Sequence, residues 1–226
     1  MAYPLPPKAQ MNRLSRLFES FRPSPSKPGS AGNANVEIRW IIAGLGNPGE
    51  QYRRSRHNLG FMTVQRLAQR YNCELTGRRF NGLYAQVGTE AGNAIMLMPQ
   101  TFYNRSGDCA AAMLGYYKLS PERLIVVHDE MDLPEQQLRL KRGGGDAGNR
   151  GIRSIREALG TPDFIRVRFG IGHPCGCQGS IDYLLERLTD EELRTLEPKL
   201  QRAGDAVLAI MSDGLDRACS IYNQRV

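Results

Sequence analysis

Three histidines are the side chains of this sequence best suited to move a proton near neutral pH: His57, His128 and His173. His57 lies in a polar loop that follows an apolar run, and Asp129 comes shortly after the apolar run 124–127. A carboxylate that accepts a hydrogen bond from one imidazole nitrogen fixes the tautomer, so the other nitrogen can take a proton from water. His57 and Asp129 could therefore activate a water for hydrolysis. Taken alone, His57 also fits a polar residue at a helix start, and Asp129 a turn or cap acid.

Nucleophilic and metal chemistry find less support in the sequence. No serine or cysteine occupies the strand–turn–helix pentapeptide that exposes a nucleophile, so direct attack by water is expected. An odd, scattered set of cysteines predicts free thiols in a reducing compartment: Cys73, Cys109, Cys175, Cys177 and Cys219. The Cys175-Gly176-Cys177 stretch lacks a second ligand pair at the spacing of metal fingers, so we predict a surface loop and no metal there.

Neutral amides are a second kind of candidate. Asn47 and Asn104 lie in loops beside glycine or proline. A side-chain amide offers one donor group and one acceptor without a charge to desolvate, which suits recognition of a peptide backbone. Both could equally be turn residues, because asparagine is common in turns.

Glycine-rich loops raise the question of nucleotide binding. Gly44, Gly46 and Gly49 match G-x-G-x-x-G, but the helix is delayed to about Asn58 and no acidic residue follows at the required distance. We therefore reject a dinucleotide site. The glycines 143–145 precede a predicted helix, and such a loop is a plausible anion cradle.

Apolar runs between glycine and proline breaks predict the elements that position these residues. Strands are expected near 38–43, 83–87, 94–98, 124–127, 138–141 and 165–171, and helices from about 58, over 110–117, over 152–159 and after a capping box at Thr189. Gly214 should end that long helix, and a last short helix should run to about residue 223. In the strand 165–171, Arg166 and Arg168 alternate with apolar residues, which predicts a half-exposed strand. Strands alternating with helices indicate an α/β domain of three layers.

Composition favours a polyanionic partner. The chain has 226 residues, 41% hydrophobic and 23% charged, with 30 Lys+Arg against 23 Asp+Glu, a net charge of +7. A basic surface suits nucleic acid or an anionic membrane. No apolar run approaches the roughly 18 residues that span a bilayer, so we expect RNA and no membrane.

The first 36 residues differ from the remainder. Prolines are frequent in residues 1–36, with serine, glycine and asparagine between them. Such a segment cannot bury enough apolar area to offset its ordering entropy, so a disordered extension is expected before a domain at 37–226. A short arginine-bearing stretch also fits a transit peptide, which leaves an organelle open beside the cytoplasm.

Four motifs together resemble one known family. The stretch 44–52 with Arg56-His57-Asn58, and the stretches 99–107, 127–134 and 169–174, are similar in sequence and order to those of bacterial-type peptidyl-tRNA hydrolases. The family cleaves the ester that joins a peptide to the 3′ ribose of tRNA. The resemblance runs from about residue 38 to the C-terminus. It implies a single domain, with a mixed, mostly parallel central sheet flanked by helices. It also implies a monomer that needs no cofactor or metal.

The resemblance also implies roles for individual residues. His57 corresponds to the general base and Asp129 to the carboxylate that orients it. Asn47 matches the residue that distinguishes a peptidyl from a free aminoacyl ester, and Asn104 matches a substrate contact. Tyr52 and Phe102 match positions that contact the end of the tRNA, where aromatic faces can stack on bases; otherwise Phe102 would be a core aromatic.

One position departs from the family pattern. The family commonly has His-Asn-Gly at the end of the glycine-rich loop, whereas this chain has Asn149-Arg150-Gly151. In the family, the Asn at the position of Arg150 usually contributes to tRNA binding. Arg150 cannot accept a hydrogen bond but can pair with phosphate, so we carry that role to Arg150. The main alternative is a non-catalytic RNA-binding relative, because some members in plant organelles serve intron splicing. The joint presence of Asn47, His57, Asn104 and Asp129 favours catalysis.

Overall fold

The computed structural model describes residues 37–174, 176 and 179–224. In chain order its regular elements are β1 Trp40–Gly44, α1 Leu59–Arg70, β2 Gly77–Arg79, β3 Gly82–Thr89, β4 Gly92–Pro99, α2 Ser106–Tyr117, β5 Leu124–Glu130, β6 Leu138–Arg142, α3 Arg150–Leu159, β7 Ile165–Gly170, α4 Ser180–Leu185, α5 Asp190–Asp213 and α6 Leu215–Tyr222. Short 3₁₀ turns cover Glu50–Tyr52, Arg56–Asn58, Tyr103–Arg105 and Pro121–Arg123.

The seven strands form one mixed sheet in the order β2-β3-β4-β1-β5-β7-β6. The four strands β4, β1, β5 and β7 run parallel, while β2, β3 and β6 join at the edges in antiparallel pairs. The carboxyl ends of the parallel strands therefore meet at one edge, where loops of open α/β sheets commonly carry sites. The predicted α/β fold with a mixed sheet is confirmed.

Helices cover both faces of the sheet. On one face α1 and α5 pack with residues such as Leu67 and Val207. On the other face α2 and α3 contribute residues such as Met113 and Ile155. Neighbouring residues of β1 point to opposite cores because side chains alternate along a strand, and this produces the three layers.

The strand near 165–171 is not half-exposed, and this prediction was wrong. Arg166 is only 2% exposed. Its guanidinium donates from Nη1 to the carbonyl of Gly145 at 2.6 Å and from Nη2 to that of Gly144 at 2.8 Å. The glycine-rich loop therefore folds over this face of the strand, and the arginine holds the loop in place by its carbonyls.

Other boundaries shift in ways that affect the site. β5 continues three residues beyond the predicted end, so Asp129 lies within the strand. The capping box at Thr189 is present, with Glu192 as its partner. None of the described helices is both long enough and apolar enough to cross a bilayer. The predicted extension 1–36 lies outside the described residues.

Candidate active site

A cavity of about 520 Å³ opens at the carboxyl edge of the parallel strands. It brings together most of the candidate residues, namely Asn47, His57, Phe102, Asn104, Asp129 and Arg150. The helix α4 supplies one apolar wall through Ile181 and Leu184, and the turn before α3 supplies Gly148 and Asn149. Residues from five separate stretches of chain thus converge on one concave surface.

The loop after β1 holds His57 at this surface. Glycines 44 and 60 let α1 start close against the strand, since a Cβ on Gly44 would lie 2.2 Å from the carbonyl oxygen of Gly60. Asn58 is buried and braces the loop across its width. Its Oδ1 accepts from the backbone N–H of Asn47 at 2.8 Å, and its Nδ2 donates to the carbonyl of Asn47 at 2.9 Å. The place of Asn58 in the sequence, between His57 and α1, does not predict this role.

Arg56 anchors the same loop to the wall of the cavity. Its guanidinium contacts the carboxylates of Glu186 at 2.7 Å and Glu192 at 2.9 Å. It also lies over the ring of Tyr183, 4.3 Å from the centroid. The segment that carries His57 and the segment that carries α4 are therefore held against each other.

His57 and Asp129 form a hydrogen-bonded pair. Nδ1 of His57 lies 2.9 Å from Oδ2 of Asp129, and the carboxylate is 2% exposed. Burial alone would raise the pKa of Asp129, but the charge of His57 and the hydrogen bonds from His57 and Tyr103 outweigh it and lower that pKa. The carboxylate therefore stays ionised and can only accept hydrogen bonds, so the hydrogen atom of this bond is on Nδ1 of His57 and Nε2 is left as the basic nitrogen.

Tyr103 completes the group. It is 3% exposed, and its ring stacks on the imidazole of His57 with centroids 3.5 Å apart and planes 13° apart. Its Oη donates to Oδ1 of Asp129 at 2.6 Å. Burial raises the pKa of Tyr103 well above its usual value, and the charge of Asp129 adds to the rise, so the phenol keeps its proton. Sequence analysis did not single out this residue.

Asn149 is a further residue that sequence analysis did not assign to the site. It is the N-cap of α3, and its Oδ1 accepts from the N–H of Ile152 at 3.0 Å. Its Nδ2 donates to Oη of Tyr103 at 3.0 Å and to the carbonyl of Asp129 at 3.2 Å. An asparagine directly before a helical pattern is a known cap signal. That signal predicts the bond to Ile152 but not the bonds toward β5.

Asn47 and Asn104 face the cavity from neighbouring loops. Oδ1 of Asn47 accepts from the backbone N–H of Tyr103 at 2.9 Å. The Nδ2 group of Asn47 is therefore the part of the amide that can donate to a ligand in the cavity. Asn104 is exposed in the 3₁₀ turn Tyr103–Arg105. Among the described residues, its side chain makes no hydrogen bond.

Comparison with known proteins identifies the family of this chain. The sequence profile of the peptidyl-tRNA hydrolase family matches residues 41–226. The chain belongs to this family. A peptidyl-tRNA hydrolase of Frankia casuarinae is 45% identical over 184 residues, which cover 81% of this chain and 93% of that protein. One of Thermus thermophilus is 42% identical, over 81% of this chain and 96% of its own.

A solved structure shows the same fold. The crystal structure of peptidyl-tRNA hydrolase from Acinetobacter baumannii superposes with a TM-score of 0.75 at 32% identity. The match covers 84% of this chain and 97% of that one. The family resemblance seen in the motifs is thereby confirmed, and so is the family's fold for this chain.

The candidate tRNA contacts of this peptidyl-tRNA hydrolase family member are not all at the cavity. Phe102 is 63% exposed on its rim, so it is not a core aromatic. Arg150 is exposed at the first turn of α3 and also lines the rim. Within the described ranges it has no carboxylate partner. Tyr52 is half-buried in the turn Glu50–Tyr52 and does not line the cavity.

The other two histidines are placed differently. His128 is buried in β5, and burial lowers its pKa from 6.5 to about 4 against the opposing charge of Asp129. His173 is exposed, 3.4 Å from Asp132, and does not line the cavity. The part of the chain that the structure describes holds no cluster of three potential metal ligands, while Cys175 and Cys177 lie outside it.

Proposed function

We propose that this protein hydrolyses the ester bond between peptide and tRNA in peptidyl-tRNA that is released from, or stalled on, the ribosome, and so recycles the tRNA. The observation that carries the proposal is the His57–Asp129 pair, with its basic nitrogen available at an open cavity in a chain of this family.

The His57–Asp129 pair and one water account for the proton transfers of the reaction. His57 takes a proton from water at Nε2 as the oxygen attacks the ester carbonyl. Asp129 stabilises the imidazolium that forms through its hydrogen bond to Nδ1. The tetrahedral intermediate then expels the 3′ oxygen of the ribose, which receives the proton from His57. The products are a peptide carboxylic acid, which ionises, and a free tRNA 3′ end.

Two amides would recognise the peptide side of the substrate. Nδ2 of Asn47 is a donor, and the acylated α-nitrogen of a peptidyl ester brings a carbonyl acceptor close by. A free aminoacyl ester has an ammonium there and no acceptor, which would leave the Nδ2 donor of Asn47 unpaired in the complex. Asn104 also lines the cavity, next to the Tyr103 N–H that Asn47 accepts from, and it can contact the next peptide unit.

The exposed aromatic and cationic side chains would hold the tRNA. Phe102 presents an open ring face for stacking on a base near the 3′ end. Arg150 can pair with a phosphate at the rim of the cavity. Tyr52 does not line the cavity, so a contact from Tyr52 would be with a part of the tRNA outside the cavity.

The remaining expectations follow from this activity. A domain at 37–226 carries the site, it works as a monomer without metal or cofactor, and it acts in the cytoplasm where ribosomes supply the substrate. An organelle is the alternative if residues 1–36 are a transit peptide.

Release of labelled peptide from peptidyl-tRNA tests the proposal. The purified protein should release peptide from N-blocked aminoacyl-tRNA with many turnovers, in EDTA as well as without it. It should release little amino acid from the unblocked aminoacyl-tRNA. Binding of tRNA without release would instead favour the non-catalytic relative.

A further inference from the structure

We propose that Tyr103 is a positioning residue that fixes the His57–Asp129 pair and sets how readily that pair takes a proton. The inference rests on the proposed function. Tyr103 touches both partners. Its hydroxyl holds Oδ1 of Asp129 at 2.6 Å while Nδ1 of His57 holds Oδ2 at 2.9 Å. Its ring lies face to face with the imidazole at 3.5 Å. The three side chains thus form a closed circle of contacts.

The direction of the phenolic proton follows from the neighbours. Oδ1 of Asn149 accepts from the N–H of Ile152, so its Nδ2 is the end that meets Oη of Tyr103 at 3.0 Å. An amide NH₂ can only donate, so it occupies an acceptor position of the phenol. The single phenolic proton must therefore point to the carboxylate of Asp129, which can only accept.

That proton has an electrostatic consequence for His57. A hydroxyl that donates to Asp129 takes up part of the negative charge of the carboxylate. The carboxylate then attracts a positive charge on the imidazole less strongly than an unshared carboxylate would. Removal of the hydroxyl should therefore strengthen this attraction.

The stacked ring has the opposite electrical effect and a mechanical one. An aromatic face attracts a cation, so the ring favours the imidazolium that forms in the reaction. It also covers one face of the imidazole and prevents the ring of His57 from turning out of the plane that meets Asp129.

Three further contacts hold Tyr103 itself in place. Its backbone N–H donates to Oδ1 of Asn47 at 2.9 Å, and its carbonyl accepts from Oγ of Ser106 at 2.9 Å. Gly151 leaves space for the ring, since a Cβ there would lie 2.4 Å from its Cε1. The residue that orients the base is thus bonded to the amide that faces the substrate.

Two variants separate the hydroxyl from the ring. Tyr103→Phe keeps the stack and removes the hydroxyl, and Tyr103→Leu removes both. Tyr71→Phe is the matched control, because Tyr71 also donates a phenolic hydrogen bond to a carboxylate, that of Glu90 at 3.0 Å, and does not line the cavity. For each protein, kcat and KM are measured from pH 5 to pH 8 on labelled peptidyl-tRNA. The titration of His57 is followed by NMR in ¹⁵N-histidine-labelled protein, with its signal assigned by comparison with His57→Ala.

The inference predicts a shift of the pH profile and not only a loss of rate. In Tyr103→Phe the midpoint of the acidic limb should move to higher pH by about half a unit or more, and kcat should fall roughly tenfold with little change in KM. In Tyr103→Leu the midpoint should lie below that of the Phe variant, and kcat should fall further. The NMR midpoint of His57 should move in the same directions, and Tyr71→Phe should match the unsubstituted chain.

An unshifted profile with a uniformly lower rate would overturn the inference, because a purely structural residue would give that result. The NMR arm separates this failure from failure of the proposed function. If the unsubstituted protein releases no peptide but the NMR midpoint moves as stated, the hydrolase proposal fails and the role of Tyr103 stands. If peptide is released and neither midpoint moves, the role of Tyr103 fails alone.

Discussion

Replacement of Asp129 by asparagine tests the pair through its hydrogen-bond inventory. The new side chain has one acceptor end and one donor end, in place of two acceptors. Because Tyr103 donates to Oδ1 in the native protein, the amide oxygen should take that position and the NH₂ group should face Nδ1 of His57. His57 must then accept at Nδ1 and carry its proton on Nε2, where it can no longer take one from water.

The opposite orientation of the amide is not favourable. It would place the NH₂ group against Oη of Tyr103, which already accepts from Asn149. The phenolic proton would then lose its acceptor in a site that is 3% exposed. An unsatisfied buried donor costs about 1–3 kcal/mol, so the wrong tautomer of His57 should dominate.

The expected loss follows from the tautomer. Asp129→Asn should lower kcat by roughly 10²–10⁴-fold, somewhat less than removal of His57, with KM nearly unchanged. Since the two residues act as a unit, the double variant His57→Ala/Asp129→Asn should be little slower than His57→Ala alone. Single-turnover release of labelled peptide measures this, with circular dichroism to check that the fold is kept. Losses that multiply in the double variant would refute the reasoning.

Three other perturbations follow from the same structure. Burial lowers the pKa of His128 to about 4. Between pH 6.5 and about 4, His128 is therefore protonated in the unfolded chain but not in the folded one. As the pH falls through that window, the free energy of unfolding should decrease by on the order of 3 kcal/mol. Urea titrations at pH 7 and pH 4.5 should show a smaller decrease in the free energy of unfolding for His128→Gln than for the unsubstituted protein. An equal decrease in the two proteins would exclude His128 as its source. Gly151→Ala should displace the ring of Tyr103, lower the free energy of unfolding by about 1–3 kcal/mol and also lower kcat. An unchanged melting temperature and an unchanged kcat would show that the ring can move aside without loss. Arg150→Asn should reduce the steepness of log tRNA affinity against log salt concentration by about 0.7–0.9 and leave kcat nearly unchanged. An unchanged slope would contradict a contact between Arg150 and a phosphate.

The sequence was informative where apolar runs are bounded by strong breaks. The strands that became β1, β4 and β5 and the capped helix α5 have such bounds, and their order predicts the α/β sheet. β2 was missed because Gly77-Arg78-Arg79 contains no apolar residue, and its pairing with β3 comes from the hairpin alone. α4 was missed because it is only six residues long.

The failure at Arg166 has a tertiary cause. Alternation along a strand predicts that every second residue faces water, but here the glycine-rich loop covers that face. No local pattern reports where a flexible loop will lie. The carbonyls of Gly144 and Gly145 in this loop accept hydrogen bonds from the buried guanidinium of Arg166.

The site divides in the same way. His57 and Asp129 could be proposed from residue chemistry and motif order, because a base and its carboxylate are recognisable types. Tyr103 could not, because its contacts join it to β5, 26 residues further along the chain. Asn149 carried a local cap signal, yet its role beside Tyr103 depends on where α3 meets the end of β5. Side chains that orient others give the weakest trace in a single sequence.

The most direct measurement is the turnover of peptidyl-tRNA by His57→Ala beside its affinity for tRNA. The account predicts that kcat falls by roughly 10²–10⁴-fold, while the Kd for deacylated tRNA stays within about threefold, because Phe102 and Arg150 remain in place. A variant that binds tRNA and still releases peptide at near-normal rates would contradict the central claim that His57 is the base.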